Sequence, residues 1–456
     1  MNILYLHMHD MGRYNSAYGH NLPTPRIQAL AEQGTLFRQG FCNAPTCSPS
    51  RAALLTGFTA HQAGMTGLVN RGFGLKAPDP HLARFLQGHG YETILGGVQH
   101  EFKHTAIADF YNTHLHRRDE LPTHEDEYPN AWDKCRDIQV AESVAACLRE
   151  RTSNQPFFLS YGLIMPHRVL FDARPYKERY NPAYVTVPPP LPDTPEVRQD
   201  MADFAYTMAY VDHCVGIVLD ALHDSGHDDD TLVFLTTDHG IAFPWMKCNL
   251  TDHGTGVTYL LRYPGNPTAG TATDALVSHL DFFPTVCDLL GIDAPDHLLG
   301  KSLRPVLEGQ TDEHQQDLFA EVSYHAAYEP MRSVRTRRWK LIKLFEEGAD
   351  YQRPFANIDA SYTKDVVIEA GLHDIPRDPV QLYDLVLDPV ERHNLAHSPA
   401  HVAILEDMTA RLDRWMRETD DPLLNGPVNM PPTAKINKRH HLDPEIPDDY
   451  EPLDIR

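Results

Sequence analysis

Short apolar runs alternate with longer stretches of helical period over most of the chain. Residues 2–8 (Asn-Ile-Leu-Tyr-Leu-His-Met) read as a strand, 25–33 as a helix, 91–96 as a strand, 137–150 as a helix and 157–163 as a strand. A long helical pattern from Glu196 to His223 stops near Gly226. The run Leu232-Val233-Phe234-Leu235-Thr236-Thr237 follows, apolar enough for a strand buried on both faces. Strands separated by helices predict the α/β class, with a large, mostly parallel sheet flanked by helices. The helix at 25–33 is well punctuated: Thr24 is the N-cap candidate, Pro25 takes the first helical position and Gly34 follows the end.

Beyond about residue 320 the rhythm shortens. Ser333-Val334-Arg335 and Trp339-Lys340-Leu341-Ile342 read as strands and 400–418 as a helix, which predicts a smaller C-terminal α+β subdomain. The expected division is a main unit over 1–320, an antiparallel-sheet subdomain over 321–424 and an extended tail over 425–456. The tail is rich in proline and charge, a composition that does not fold alone. It is expected to wrap the body or a neighbouring subunit, the latter giving a homo-oligomer.

With 456 residues the chain can bury a large core, and 40 basic against 63 acidic residues leave a formal charge of −23. That balance argues against nucleic acid or an anionic membrane as partner, and an anionic substrate would need a local basic pocket. Seven cysteines without a repeating spacing do not form a disulfide framework. The first strand begins directly after Met1 and no apolar run is long enough to span a membrane, so the expectation is a cytoplasmic protein.

Two acid-imidazole pairs end the two best strands: His9-Asp10 after the first and Asp238-His239 after the run at 232–237. Open α/β sheets place ligands at the carboxyl ends of their strands, so these pairs could bring four ligands to one divalent metal. Cys47-Ser48-Pro49-Ser50-Arg51 opens a short helix and continues as Ala52-Ala53-Leu54-Leu55-Thr56-Gly57. Cys135, Cys147, Cys214 and Cys287 read as small buried hydrophobes; Cys47 stands apart through its motif and the company it keeps.

The cysteine motif, His61-Gln62-Ala63-Gly64-Met65, Pro166-His167-Arg168, Tyr328-Glu329-Pro330-Met331-Arg332-Ser333-Val334 and Leu382-Tyr383-Asp384 together resemble the type I sulfatases of the alkaline phosphatase superfamily, on the N-sulfoglucosamine sulfohydrolase (heparan N-sulfatase) branch. The resemblance implies an alkaline-phosphatase-like fold and a 1–320 catalytic domain. It also implies that Cys47 is oxidised to formylglycine by a formylglycine-generating enzyme. The metal would be held by His9, Asp10, Asp238, His239 and the modified Cys47. Arg51 would stabilise the nucleophile's oxygen and the sulfate charge, and His100 would contact the hydrated aldehyde. Lys247 would grip sulfate, and His167 would face the leaving group. The chain departs from the family in two places. Calcium is the family's ion, but two imidazoles among the ligands shift preference toward manganese or zinc. The lysine usual two places before His100 is Val98.

The reaction so implied is attack on sulfur by one hydroxyl of the hydrated aldehyde, protonation of the leaving atom by His167 or Lys247, and collapse when His100 takes the proton of the second hydroxyl. The expected substrate is a sulfated sugar resembling N-sulfoglucosamine. Other readings are an O-sulfatase on another carbohydrate or aryl sulfate, a phosphonate monoester or phosphodiester hydrolase, and a catalytically inert sugar-binding protein on the same fold.

Overall fold

The computed structural model describes residues 1–115, 135–346 and 352–444. Eight strands form the main sheet: β1 (Asn2–Met8), β2 (Thr35–Phe41), β3 (Glu92–Gly97), β4 (Thr113–His114), β5 (Phe157–Gly162), β6 (Thr231–Thr237), β7 (Tyr259–Arg262) and β8 (Thr271–Ser278). Their order is β4-β3-β5-β1-β6-β7-β2-β8. All neighbours are parallel except β7, which runs antiparallel to both β6 and β2. β1 and β6 lie side by side in the middle, and every residue of both is buried.

Alternation along β1 divides the core in two. Leu4, Leu6 and Met8 pack with the helices Pro25–Gln33, Arg136–Arg149 and Pro195–Asp224. Ile3 and Tyr5 face the other way, toward Leu54, Leu82 and Phe282 from the helices Cys47–Thr56, Leu82–Gly88 and Phe282–Leu290. A strand with helices on both faces must be apolar at successive positions, which is why 2–8 and 232–237 are legible as continuous runs.

The helix Pro25–Gln33 lies where its punctuation predicts, but Thr24 does not cap it with its side chain. Thr24 Oγ1 accepts from the Ser16 N–H at 2.8 Å instead. The capping acceptor is the Asp212 carboxylate from the long helix, which takes the N–H groups of Arg26 (3.0 Å) and Ile27 (2.9 Å). Gly34 is not in the left-handed region (φ −121°); a Cβ there would meet the Leu261 carbonyl oxygen at 2.6 Å.

The second sheet, β9 (Leu318–Tyr324), β10 (Tyr328–Arg335), β11 (Trp339–Leu344) and β12 (Val380–Asp384), is antiparallel in the order β12-β11-β10-β9. The helix Val402–Glu418 covers it with Met408, Leu412, Trp415 and Met416 against Val334, Leu341 and Leu382. The tail wraps the body of its own chain as far as residue 444. Lys435 donates its backbone N–H to Arg71 and Asn437 to Ala326, while Val428 and Ile436 join a cluster with Met65, Phe73 and Tyr324. The last part of the tail, 445–456, lies outside the described residues. Among the described residues no helix is long and apolar enough to cross a membrane.

Candidate active site

The site is built at the carboxyl ends of β1 and β6. Met8 stands opposite Thr237 in the parallel register, so the segments leaving the two strands emerge together. Asp10 takes a left-handed backbone (φ 46°), a conformation aspartate tolerates better than most residues, and donates its N–H to Asp238 Oδ1 at 3.0 Å. Just past Asp238-His239, Gly240 lies so close to the neighbouring loop that a Cβ would sit 1.9 Å from the His253 carbonyl oxygen. A larger residue there would displace the loop that carries both ligand candidates.

His9, Asp10, Cys47 and Asp238 each present one donor atom, all within 4.8 Å of one another. His239 adjoins them, its Nε2 3.4 Å from Asp10 Oδ1 and 3.4 Å from Cys47 Sγ. Because His239 Nδ1 donates to the Gly240 carbonyl at 2.9 Å, its Nε2 lone pair faces the cluster. His9 Nδ1 is 3.1 Å from Asp238 Oδ2, yet neither nitrogen of His9 makes a hydrogen bond, and neither does Asp10 Oδ1. Each such orphaned buried group costs about 1–3 kcal/mol. One ring nitrogen of His9 and Asp10 Oδ1, converging with Asp238 and Cys47, fit a divalent cation, which would give these buried acceptors a partner.

Cys47 opens the helix Cys47–Thr56, all ten residues of which are buried. Ser50, one turn on, donates its hydroxyl to the Asp238 carbonyl and so ties this helix to the end of β6. Burial pushes the Cys47 thiol well above its ordinary pKa, against the pull of Lys247. The unmodified side chain is therefore poorly suited to act as a thiolate. Arg51 is sealed beneath the cluster, donating to His7 Nδ1, the Met8 carbonyl and Asp238 Oδ2. Burial would favour the protonated form of Asp238, but His239, Arg51 and His9 hold its carboxyl well below the usual range.

Three more expected residues stand around this core. Lys247 Nζ lies 3.1 Å from Asp10 Oδ2 and 3.5 Å from His167 Nε2, in a loop where Trp245 (φ 64°) and Cys248 (φ 62°) both adopt left-handed backbone. His167 donates Nδ1–H to the Arg168 carbonyl at 2.7 Å, leaving Nε2 toward Lys247. His100 packs edge-on against His9 with ring centroids 4.7 Å apart, and burial, then Arg51 and His167, lower its pKa to about 3. It is a neutral imidazole.

Some participants carry no signal in the sequence. His7 accepts from Arg51 from within β1. Asp359 reaches in from the C-terminal part of the chain to Lys247 Nζ at 2.9 Å, and nothing around Asn357-Ile358-Asp359 marks it out.

Known proteins bear on this geometry. The family model for sulfatases matches residues 1–292, and one for the C-terminal part of N-sulphoglucosamine sulphohydrolase matches 245–378. The chain belongs to the sulfatase family. This sulfatase is 30% identical to human N-sulphoglucosamine sulphohydrolase over 93% of its own length and 92% of that protein's. A solved putative sulfatase from Bacteroides thetaiotaomicron shares its fold with a TM-score of 0.72 at 22% identity, covering 97% of this chain and 99% of that one. A structure described as a complex with its substrate D-glucosamine-2-N,6-O-disulfate has a TM-score of 0.71 at 20% identity, covering 92% and 98%. At the position where the resemblance expects a lysine, this sulfatase has the buried Val98, whose N–H donates to the Gly162 carbonyl at 2.9 Å.

Proposed function

We propose that this sulfatase hydrolyses the sulfate of an N-sulfoglucosamine-like sugar, with Cys47 matured to formylglycine by a formylglycine-generating enzyme. The observation that carries the reading is the convergence of His9, Asp10, Cys47 and Asp238 within 4.8 Å, with Cys47 heading a Cys-Ser-Pro-Ser-Arg motif. Human N-sulphoglucosamine sulphohydrolase as a relative along nearly the whole chain favours the sulfamate over other sulfates.

A divalent cation bound there supplies Lewis-acid charge that acidifies neighbouring oxygen groups and draws electrons from the sulfuryl oxygens. His9, Asp10, Asp238, His239 and the modified Cys47 would hold it; their mixed nitrogen and oxygen donors suit manganese or zinc as well as the family's calcium. The matured residue 47 presents two hydroxyls on one carbon, one of which attacks sulfur. His100, neutral and beside His9, takes the proton of the other as sulfate leaves and the aldehyde returns, so water need not attack the enzyme. His167 or Lys247, 3.5 Å apart, gives the leaving nitrogen or oxygen its proton. Arg51 anchors Asp238 and adds positive charge below the reacting group.

Competition kinetics among N-sulfoglucosamine, glucosamine 6-sulfate, an aryl sulfate and a phosphonate monoester test the reading. The expected ranking puts N-sulfoglucosamine first; negligible turnover of every sulfate would overturn it.

A further inference from the structure

Lys247 sits between two carboxylates, Asp10 on the ligand cluster and Asp359 on the other side. Its side chain is 2% exposed, whereas that of Asp359 is 19% and that of His167 is 31%. The accessible edge of the lysine is thus formed by His167 and Asp359. Asp359 Oδ2 holds Lys247, and no hydrogen bond from the described residues reaches its other oxygen. The backbone that presents it is fixed. Phe355 and Ile358 pack with Val367, Asn357 bridges the Ala327 N–H and the Glu329 carboxylate, and Lys364 donates to the Ile358 carbonyl at 2.7 Å.

A carboxylate beside a sulfate-binding lysine needs a reason. An ionised carboxylate accepts hydrogen bonds and cannot donate them, and the same is true of sulfate oxygens, so Asp359 cannot bind the sulfate itself. What it can bind is a donor on the remaining part of the substrate. An aryl sulfate has no donor next to its ester oxygen; a sulfated amino sugar has an N–H and neighbouring hydroxyls.

We propose that Asp359 is a specificity-determining residue whose free oxygen accepts a hydrogen bond from the amino-sugar part of the substrate, while its other oxygen holds Lys247. The inference rests on the sulfohydrolase reading and assigns its preference for an amino sugar to a named residue. A site built around a substrate donor discriminates strongly against analogues that lack one, because its own acceptor is then left unpaired. The opposing charge also keeps a second anionic group away from this side of Lys247.

Calorimetric binding of two probes, glucosamine and inorganic sulfate, to the full-length protein and to Asp359→Ala tests it without requiring turnover. The expected result is that glucosamine binding weakens by about tenfold or more, one strong hydrogen bond's worth, while sulfate affinity stays the same or improves. Asp359→Asn, which keeps the shape, covers the case in which the alanine variant fails to fold, and should also weaken glucosamine. Equal weakening of both probes would mean that Asp359 acts only through Lys247, and unchanged glucosamine binding would mean that it does not touch the sugar; either overturns the proposal. Failure of the sulfohydrolase reading shows separately, as absent turnover of any sulfate.

Discussion

The Arg51 guanidinium donates to Asp238 Oδ2 across 3.0 Å, with side-chain exposures of 1% and 0%. This pair fastens the cysteine helix under the end of β6, and the same arginine also holds His7 and the Met8 carbonyl on β1. Removing one member of a sealed pair leaves the other charge uncompensated, at a cost of about 3–5 kcal/mol. Arg51→Ala should therefore lose both activity and thermal stability. Arg51→Lys should retain more stability and still lose activity, because a single ammonium cannot reproduce the forked contacts. Thermal melting alongside turnover checks this; an alanine variant that melts like the wild type would contradict it.

Lys247 offers a separate test of sulfate binding. Burial disfavours its charge, but Asp10 and Asp359 hold its pKa well above the ordinary value, so it is a cation across the working range. Lys247→Ala should weaken inorganic sulfate by about tenfold or more, the value of a charge-assisted contact. Isothermal calorimetry reads it directly, and equal affinity in the variant would remove the residue from sulfate binding.

Acid sensitivity should arise from a buried carboxylate outside the ligand cluster. Glu321 on β9 accepts from His61 at 2.9 Å, and Arg332, beside Glu321, also pairs with Asp421. Burial pushes the Glu321 carboxyl up, but His61 and Arg332 more than offset it and bring it down to about 2 from the ordinary 4.5. A carboxyl with a lowered folded-state pKa adds stability that is complete above the ordinary value. That contribution is lost as pH falls from about 4.5 toward about 2 and amounts to about 3 kcal/mol. Glu321→Gln should be less stable near neutrality and have a flatter stability profile in this acid window, measured by denaturant unfolding against pH. An unchanged acid limb would contradict the assignment.

The capping of the helix Pro25–Gln33 by Asp212 gives a purely structural prediction. Asp212→Ala removes the acceptor for two N–H groups and should cost about 1–2 kcal/mol of unfolding free energy. Turnover should be nearly unchanged, since neither residue touches the cluster.

These contacts also mark how far the sequence could be read. β1 and β6 are visible because two-sided burial makes them continuously apolar. β7 is only four residues long, and β8 has an exposed first half, so neither stands out as a run. The ligand pairs are legible because each directly follows a legible strand. Asp212, 186 positions from Arg26 in sequence, and Asp359, 112 from Lys247, are not. Their roles come from packing that brings distant segments together, and no local spacing encodes it. Thr24 illustrates the converse: its residue type suits a cap, and a nearby Ser16 takes its hydroxyl instead.

Ligand removal bears on the cluster's orphaned acceptors. Dialysis against a chelator should lower the melting temperature, and adding back manganese, zinc or calcium should restore it, since binding only to the folded state stabilises it. His9→Ala should blunt that response, and an identical melting temperature with and without chelator would argue against a bound ion.

The central claim is tested most directly by the mass of the peptide spanning Cys47, in protein produced with and without an active formylglycine-generating enzyme. The expected result is that the sulfur-free aldehyde form appears only with that enzyme, and that sulfate turnover rises in proportion to it. Sulfate hydrolysis by material carrying only the thiol, or none by fully converted material, would contradict the account.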